Sequence, residues 1–198
     1  MPPAKKPVPQ KDIISACLLF ERPGPQNTGR TLEWAARRAR ELGVERVVVA
    51  TRSGRTVREA LKYFEPSSVV AVTHCTGYAG PNEQELEEDE RRRLEKAGVR
   101  ILTCQHALGG VGRGVRNKLG TYELEEIMAH TLRTFGQGVK VAVEVSLMAA
   151  DAGLVRAGEL CIAVGGTEWG ADTALLLRPT NSHRFFDLKV VEILAKPQ

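Results

Sequence analysis

Five short β-branched runs, separated by longer segments of helical period, set the limits on what this chain can fold into. They are Ile13–Leu19, Arg46–Ala50, Val69–Thr73, Val99–Thr103 and Leu160–Val164. Several are apolar without alternation, which is the pattern of strands covered on both faces of a parallel sheet. Two more extended runs, Thr173–Arg178 and Leu188–Leu194, follow near the end of the chain. Strands alternating with helices imply an α/β fold, a three-layer α/β/α sandwich with a mostly parallel mixed sheet. One α/β domain over residues 12–198 is expected, preceded by a flexible Pro-rich tail of residues 1–11.

The helical segments differ in how they are patterned. In Thr28–Leu42, Leu32, Ala35, Ala36, Ala39 and Leu42 share one face, and arginines and glutamates take the other. Glu85–Lys96 reads as a solvated helix, with acid-first i,i+4 pairs at Glu87–Arg91, Glu88–Arg92 and Asp89–Arg93. Thr121–Phe135 and Val139–Gly153 complete the set, the second almost wholly apolar apart from Lys140, Glu144, Ser146 and Asp151. Glu144 and Asp151 stand two helical turns apart, so their carboxylates share a face. Burial without a partner is costly. Either they pair with an arginine such as Arg113 or Arg116, or they reach a ligand.

Ligands of open α/β sheets bind where the strands end, and here those ends are rich in glycine and hydroxyls. After Ala50 come Thr51-Arg52-Ser53-Gly54-Arg55-Thr56 and then a helix. Gly54 permits close approach of an anion, Thr51, Ser53 and Thr56 bring hydroxyls, and Arg55 brings a forked donor. The competing reading makes Ser53 or Thr56 a helix cap. Thr73 and His74 end the next strand. His106 opens a loop holding Gly109, Gly110, Gly112, Arg113 and Gly114. That loop is neither a dinucleotide fingerprint nor a P-loop, because Val115 and Arg116 stand where those motifs need glycine, or lysine and a hydroxyl. Its four glycines instead suggest a segment that covers a ligand. Gly165-Gly166-Thr167 end a further strand, followed by Trp169, a stacking surface or a core residue, and Asp172.

Composition removes several classes of function. Three of the 28 basic residues, Lys5, Lys6 and Lys11, lie in the first eleven positions, leaving 25 against 24 acids in the body. With 5% aromatics as well, neither a basic field nor a stacking platform for nucleic acid is present. No apolar run approaches the ~20 residues that span a bilayer. The tail has no apolar core of a signal peptide, so a cytoplasmic protein is expected. Cys17, Cys75, Cys104 and Cys161 form no CxxC pair, and His74-Cys75 with Cys104-x-His106 matches no familiar zinc spacing, so no metal is assigned.

Thr51-x-Ser-Gly-Arg-Thr56, Lys62-Tyr63, Pro66 and Val69-Val-Ala-Val-Thr73 resemble the C-terminal domain of pyruvate kinase, as does Ala152-Gly-Leu-Val-Arg-Ala-Gly-Glu-Leu160. The resemblance covers roughly residues 30–73 and 150–178. The whole chain is more similar to small stand-alone archaeal and bacterial proteins with that fold. The shared stretches are His106-Ala-Leu-x-Gly-Val-Gly-Arg-Gly114, Met148-Ala-Ala-Asp-Ala-Gly-Leu154 and Gly165-Gly-Thr-x-Trp-Gly-Ala-Asp172. That likeness implies a flavin mononucleotide cofactor, with Asn27, Thr28, Thr73, His74, His106 and Gly165–Asp172 offered to the ring. In pyruvate kinase the loop equivalent to Thr51–Thr56 holds a phosphate of a sugar bisphosphate effector. A 198-residue chain leaves no room for that enzyme's catalytic barrel, so pyruvate formation is not expected. The expected partner is a small phosphate-bearing ligand: a flavin, or a sugar phosphate or nucleotide read by a non-catalytic sensor. A homo-oligomer is the third reading, because the parent domain also makes subunit contacts.

Overall fold

Period-two alternation along the central strands decides the layering. In the computed structural model, which describes residues 12–198, Val47 and Val49 enter one core cluster and Val48 the other, and Val69 and Ala71 separate likewise from Val70 and Val72. Side chains are therefore buried on both faces, each worth about 1.5–3 kcal/mol when fully removed from water. The expected tail of residues 1–11 lies outside the described residues.

The elements run β1 (Leu18–Phe20), α1 (Thr28–Leu42), β2 (Val47–Ala50), α2 (Arg55–Ala60), β3 (Val69–Val72), α3 (Glu88–Lys96), β4 (Arg100–Leu102), α4 (Val111–Leu119), α5 (Leu124–Arg133), α6 (Gln137–Asp151), β5 (Cys161–Gly165), β6 (Thr173–Arg178) and β7 (Lys189–Pro197). The sheet order is β1-β7-β6-β5-β2-β3-β4. Only β6 runs against the others, pairing antiparallel with β5 and β7. Leu32, Ala35 and Ala39 of α1, Val57 and Ala60 of α2 and Leu94 of α3 pack on one face. α6 covers the other with Val139, Ala142, Val143, Leu147 and Ala150. The three-layer sandwich expected from the alternation is the observed one.

Boundaries shift where hydrogen-bond partners run out. The first expected strand, Ile13–Leu19, is reduced and shifted to Leu18–Phe20, because among the described residues β1 pairs only with Ala195–Pro197 at the end of β7. Ile13 and Ile14 are left almost fully exposed. Of the three ion pairs expected along the charged helix, only Glu88–Arg92 forms, at 3.1 Å. Arg91 turns to Thr103 at 2.6 Å and Arg93 to Glu90. Glu90 is buried and meets Arg58 at 2.5 Å, so this helix is docked rather than solvated all round. Half of the expected loop His106–Gly114 is helix: α4 begins at Val111, and Gly112 packs against Glu123 and Glu125.

Candidate functional site

The order of the strands creates a crevice. From β2 the chain steps outward through β3 and β4, then returns on the opposite face through α4–α6 to β5, on the other side of β2. Where strand order reverses in this way, the loops leaving the two adjacent strands diverge and leave a gap at their carboxyl ends. A cleft of about 680 Å³ lies there, lined by Thr51–Ser53, Arg55 and Thr56 after β2, Thr73 and His74 after β3, and Gly166 and Glu168–Gly170 after β5. One wall is α6, with Gln137, Lys140, Val141, Glu144, Val145 and Met148.

The loop after β2 is shaped by its own bonds. Thr51 donates its N–H to Val72 O at 2.9 Å, extending the ladder past the strand. Its hydroxyl accepts from Gly54 N–H at 3.0 Å. Gly54 has φ +81°, a left-handed conformation that side-chain-bearing residues seldom adopt, and a Cβ there would come within 2.8 Å of Glu90 Cγ. This turn exposes Ser53 and Arg55. Arg55 makes no hydrogen bond or ion pair among the described residues. Neither Ser53 nor Thr56 caps α2 through its side chain.

Charge is concentrated on the opposite wall. Lys140 and Glu144, both buried, pair at 2.5 Å, and Glu144 also accepts from Leu108 N–H at 3.0 Å. Glu144 therefore pairs with a lysine one turn away, not with Arg113 or Arg116. Asp151 lies exposed at the other end of α6, where it caps Ser182 N–H at 3.0 Å. Burial pushes the Lys140 ammonium below the usual lysine range; Glu144 opposes this, while Arg133 and Arg113 add to it. Arg116 instead pairs with Glu126 at 3.4 Å.

An aromatic group closes the β3 side. Tyr78 stacks on His106 with ring centroids 5.2 Å apart and tilts against His74 at 4.1 Å, the two imidazoles stand 5.5 Å apart, and the Arg113 guanidinium lies 5.3 Å from the Tyr78 ring. His74 Nδ1 is held by Glu85 at 2.5 Å. His106 Nε2 accepts the Cys75 N–H at 3.4 Å, and burial drops its pKa to about 4, with the charges of His74, Lys140 and Arg113 acting in the same direction against Glu144. Arg113 Nε is buried with no partner among the described residues. Trp169 is half exposed at the rim, so it is not a core residue, and the Arg52 guanidinium covers its ring at 4.4 Å.

Of the residues singled out in the sequence, Thr28, Thr51, Ser53, Arg55, Thr56, Thr73, His74, His106, Arg113, Gly166 and Trp169 line this one cleft. Others support it from behind. Asp172 is fully buried and accepts from Gly24 N–H, Thr167 N–H and the Thr173 hydroxyl at 2.8–3.2 Å. Asn27 donates to Arg22 O at 2.7 Å. Gly54 sits under the β2 turn, and Gly165 packs against α6. Gly109 and Gly110 lead into α4 beside Arg113 and Gln105. The reading from sequence missed Arg52, Tyr78, Arg133, Gln137 and Lys140 as lining residues. For Lys140 a signal existed, an ammonium four residues before Glu144 in an apolar helix. For Arg133 and Gln137, joined at 2.7 Å across the α5–α6 corner, there was none.

Comparison with known proteins matches residues 30–177 to the pyruvate kinase alpha/beta domain. This chain belongs to that family. The bounds of the match to the pyruvate kinase alpha/beta domain take in both flanks that the sequence motifs pointed to. Among solved structures, the chain is similar to a pyruvate kinase of Cryptosporidium parvum, with 17% identity, a TM-score of 0.41 and coverage of 78% of this chain and 23% of that one. The same organism's pyruvate kinase in complex with ADP matches at 16% identity with a TM-score of 0.40, over 78% and 24% of the two chains. The chain thus spans about a quarter of the pyruvate kinases it matches. Among the described residues, no helix is long and apolar enough to cross a membrane.

Proposed function

We propose that the cleft at the β2–β5 switch point binds a small phosphate-bearing molecule, with flavin mononucleotide as that molecule. The observation that carries this reading is the balance of charge on the walls. Lys140 and Glu144 neutralise each other, Arg52 pairs with Glu85 and Glu59 with Lys62, which leaves Arg55, Arg113 and Arg133 facing Glu168 alone. Arg55 has no partner among the described residues, Thr51, Ser53 and Thr56 supply hydroxyls beside it, and an anion there would meet charge-assisted donors.

The residues also fit the rest of a flavin nucleotide. The cleft volume lies within the ~300–1,000 Å³ of ordinary cofactor sites. Trp169, Tyr78 and His106 offer apolar ring faces, and the orphaned Arg113 Nε offers a donor to a ring carbonyl. When bound, a flavin supplies one- and two-electron chemistry. What this chain contributes is anchoring of the phosphate, cover for the ring and exclusion of water.

The test compares flavin mononucleotide with riboflavin by fluorescence quenching on wild type and Arg55→Ala. Loss of one charge-assisted bond, about 1.5–3 kcal/mol, weakens the phosphate ester roughly 10- to 100-fold and leaves riboflavin unchanged. Equal affinities for the two flavins remove the phosphate from this loop. Failure to bind either, alongside binding of inorganic phosphate by calorimetry, keeps the anion site and removes the flavin.

A further inference from the structure

We propose that Lys140 is an imine-forming amine, condensing with a small aldehyde or ketone that carries an anionic group. The proposal goes beyond the phosphate reading and stands whether or not the ligand is a flavin. Lys140 is 4% exposed, yet lines the cleft rather than the core. Its neighbours are those an amine nucleophile requires. Glu144 Oε2 lies 2.5 Å from Nζ and can take its proton. Glu144 is itself held in place by Leu108 N–H at 3.0 Å, which keeps the carboxylate aimed at the amine. Burial, with Arg133 and Arg113, disfavours the ammonium against the opposing pull of Glu144, and disfavoured ammonium is how buried lysines become nucleophiles.

The same cations define the substrate class. Arg113 has a buried Nε without a partner among the described residues, and Arg133 shares the wall. A carboxylate or phosphate held there would present a neighbouring carbonyl to Nζ. In the step itself, the Lys140 ammonium passes one proton to Glu144 and the free amine's electron pair attacks the carbonyl carbon. The C–N bond forms as the C–O π bond breaks. The oxygen collects the proton from Glu144 and one from nitrogen and leaves as water, so an iminium remains on Lys140 with no change of oxidation state. A purely structural role, in which the pair only pins the 106–110 segment to α6, is the competing account.

The full chain is incubated at neutral pH with glyceraldehyde 3-phosphate or, separately, glyoxylate, each with cyanoborohydride, then digested and mapped by mass spectrometry. Exposed Lys118 and Lys189 serve as internal controls in the same sample, so the result does not depend on any variant folding. Lys140 carrying most of the label with either probe supports the proposal, and the faster probe identifies phosphate or carboxylate as the recognised anion. Glu144→Gln then loses the Lys140 label while the control lysines keep theirs. Lys140 labelled no faster than Lys118 and Lys189 overturns the proposal and leaves a structural pair. Labelling of Lys140 that is unaffected by Arg55→Ala, with equal rates for both probes, sustains the imine and counts against the phosphate loop alone.

Discussion

Replacing Gly165 by alanine tests whether the close approach of α6 to β5 builds the cleft wall. A Cβ at Gly165 would collide with the carbonyl oxygen of Gly138, and would lie 2.9 Å from the Ala142 nitrogen and 3.0 Å from Val141 Cβ. Two of these three atoms belong to the backbone of α6, so no rotamer change relieves them. Gly138 cannot retreat freely, because it packs as tightly on Thr173 and Asp172. Overpacking of a well-filled core costs about 1–3 kcal/mol, and with a rigid helix as the obstacle the upper end, about 3 kcal/mol, is expected. For a domain of this size that lowers Tm by roughly 6–12 °C. Urea denaturation followed by circular dichroism reads the loss as a lower midpoint with an unchanged slope. The displaced helix also carries Lys140 and Glu144, so ligand affinity falls with stability. A variant within about 0.5 kcal/mol of wild type would refute the reasoning, because the helix would then have slack it is not credited with.

Three further outcomes are expected. His106 has a folded-state pKa of about 4, below its ordinary 6.5, so the native state favours the neutral ring; the stability this represents is complete above 6.5 and drains away as pH falls toward 4. His106→Asn therefore flattens the urea-midpoint profile between those limits, whereas a ring that titrates near 6.5 by NMR contradicts the assignment. Amide exchange across residues 106–110, which hydrogen-bond to α6 through Leu108 N–H, slows when flavin mononucleotide is added; equal rates in both states leave the glycines as turn formers. Trp169→Leu removes the ring that Arg52 covers and reduces flavin affinity and quenching together, and native behaviour of this variant places the flavin ring elsewhere.

How far the sequence could be read is clearest in α6 and in the 106–114 segment. The apolar helix expected over Val139–Gly153 and observed over Gln137–Asp151 is evident from composition, and so is the anomaly of Glu144 and Asp151 within it. That Lys140 would serve as the partner of Glu144, rather than Arg113 or Arg116, depends on which rotamers the cleft wall leaves open. In segment 106–114 the glycines suggested an unstructured cover, yet Val111–Leu119 is helical. Glycine's weak helix propensity is overridden once a face packs against a neighbour, here Gly112 against Glu123 and Glu125.

The chain's own periodicities were enough to settle the layers. Continuous valine runs must be covered on both sides, the α1 stripe must face inward, and small residues at strand ends must mark the rim, because each follows from local geometry and burial alone. Strand order is different in kind. Nothing local in β5 states that it pairs with β2, across 110 residues of chain, and that single pairing opens the switch-point cleft. It also brings Arg55 from the start of α2, His106 from a loop and Lys140 from a helix on the opposite face to a common space. Long-range pairing is chosen by the packing of the whole sheet against both helical layers. The identity of the lining residues was therefore legible in part from the sequence, while their convergence was decided by the tertiary structure.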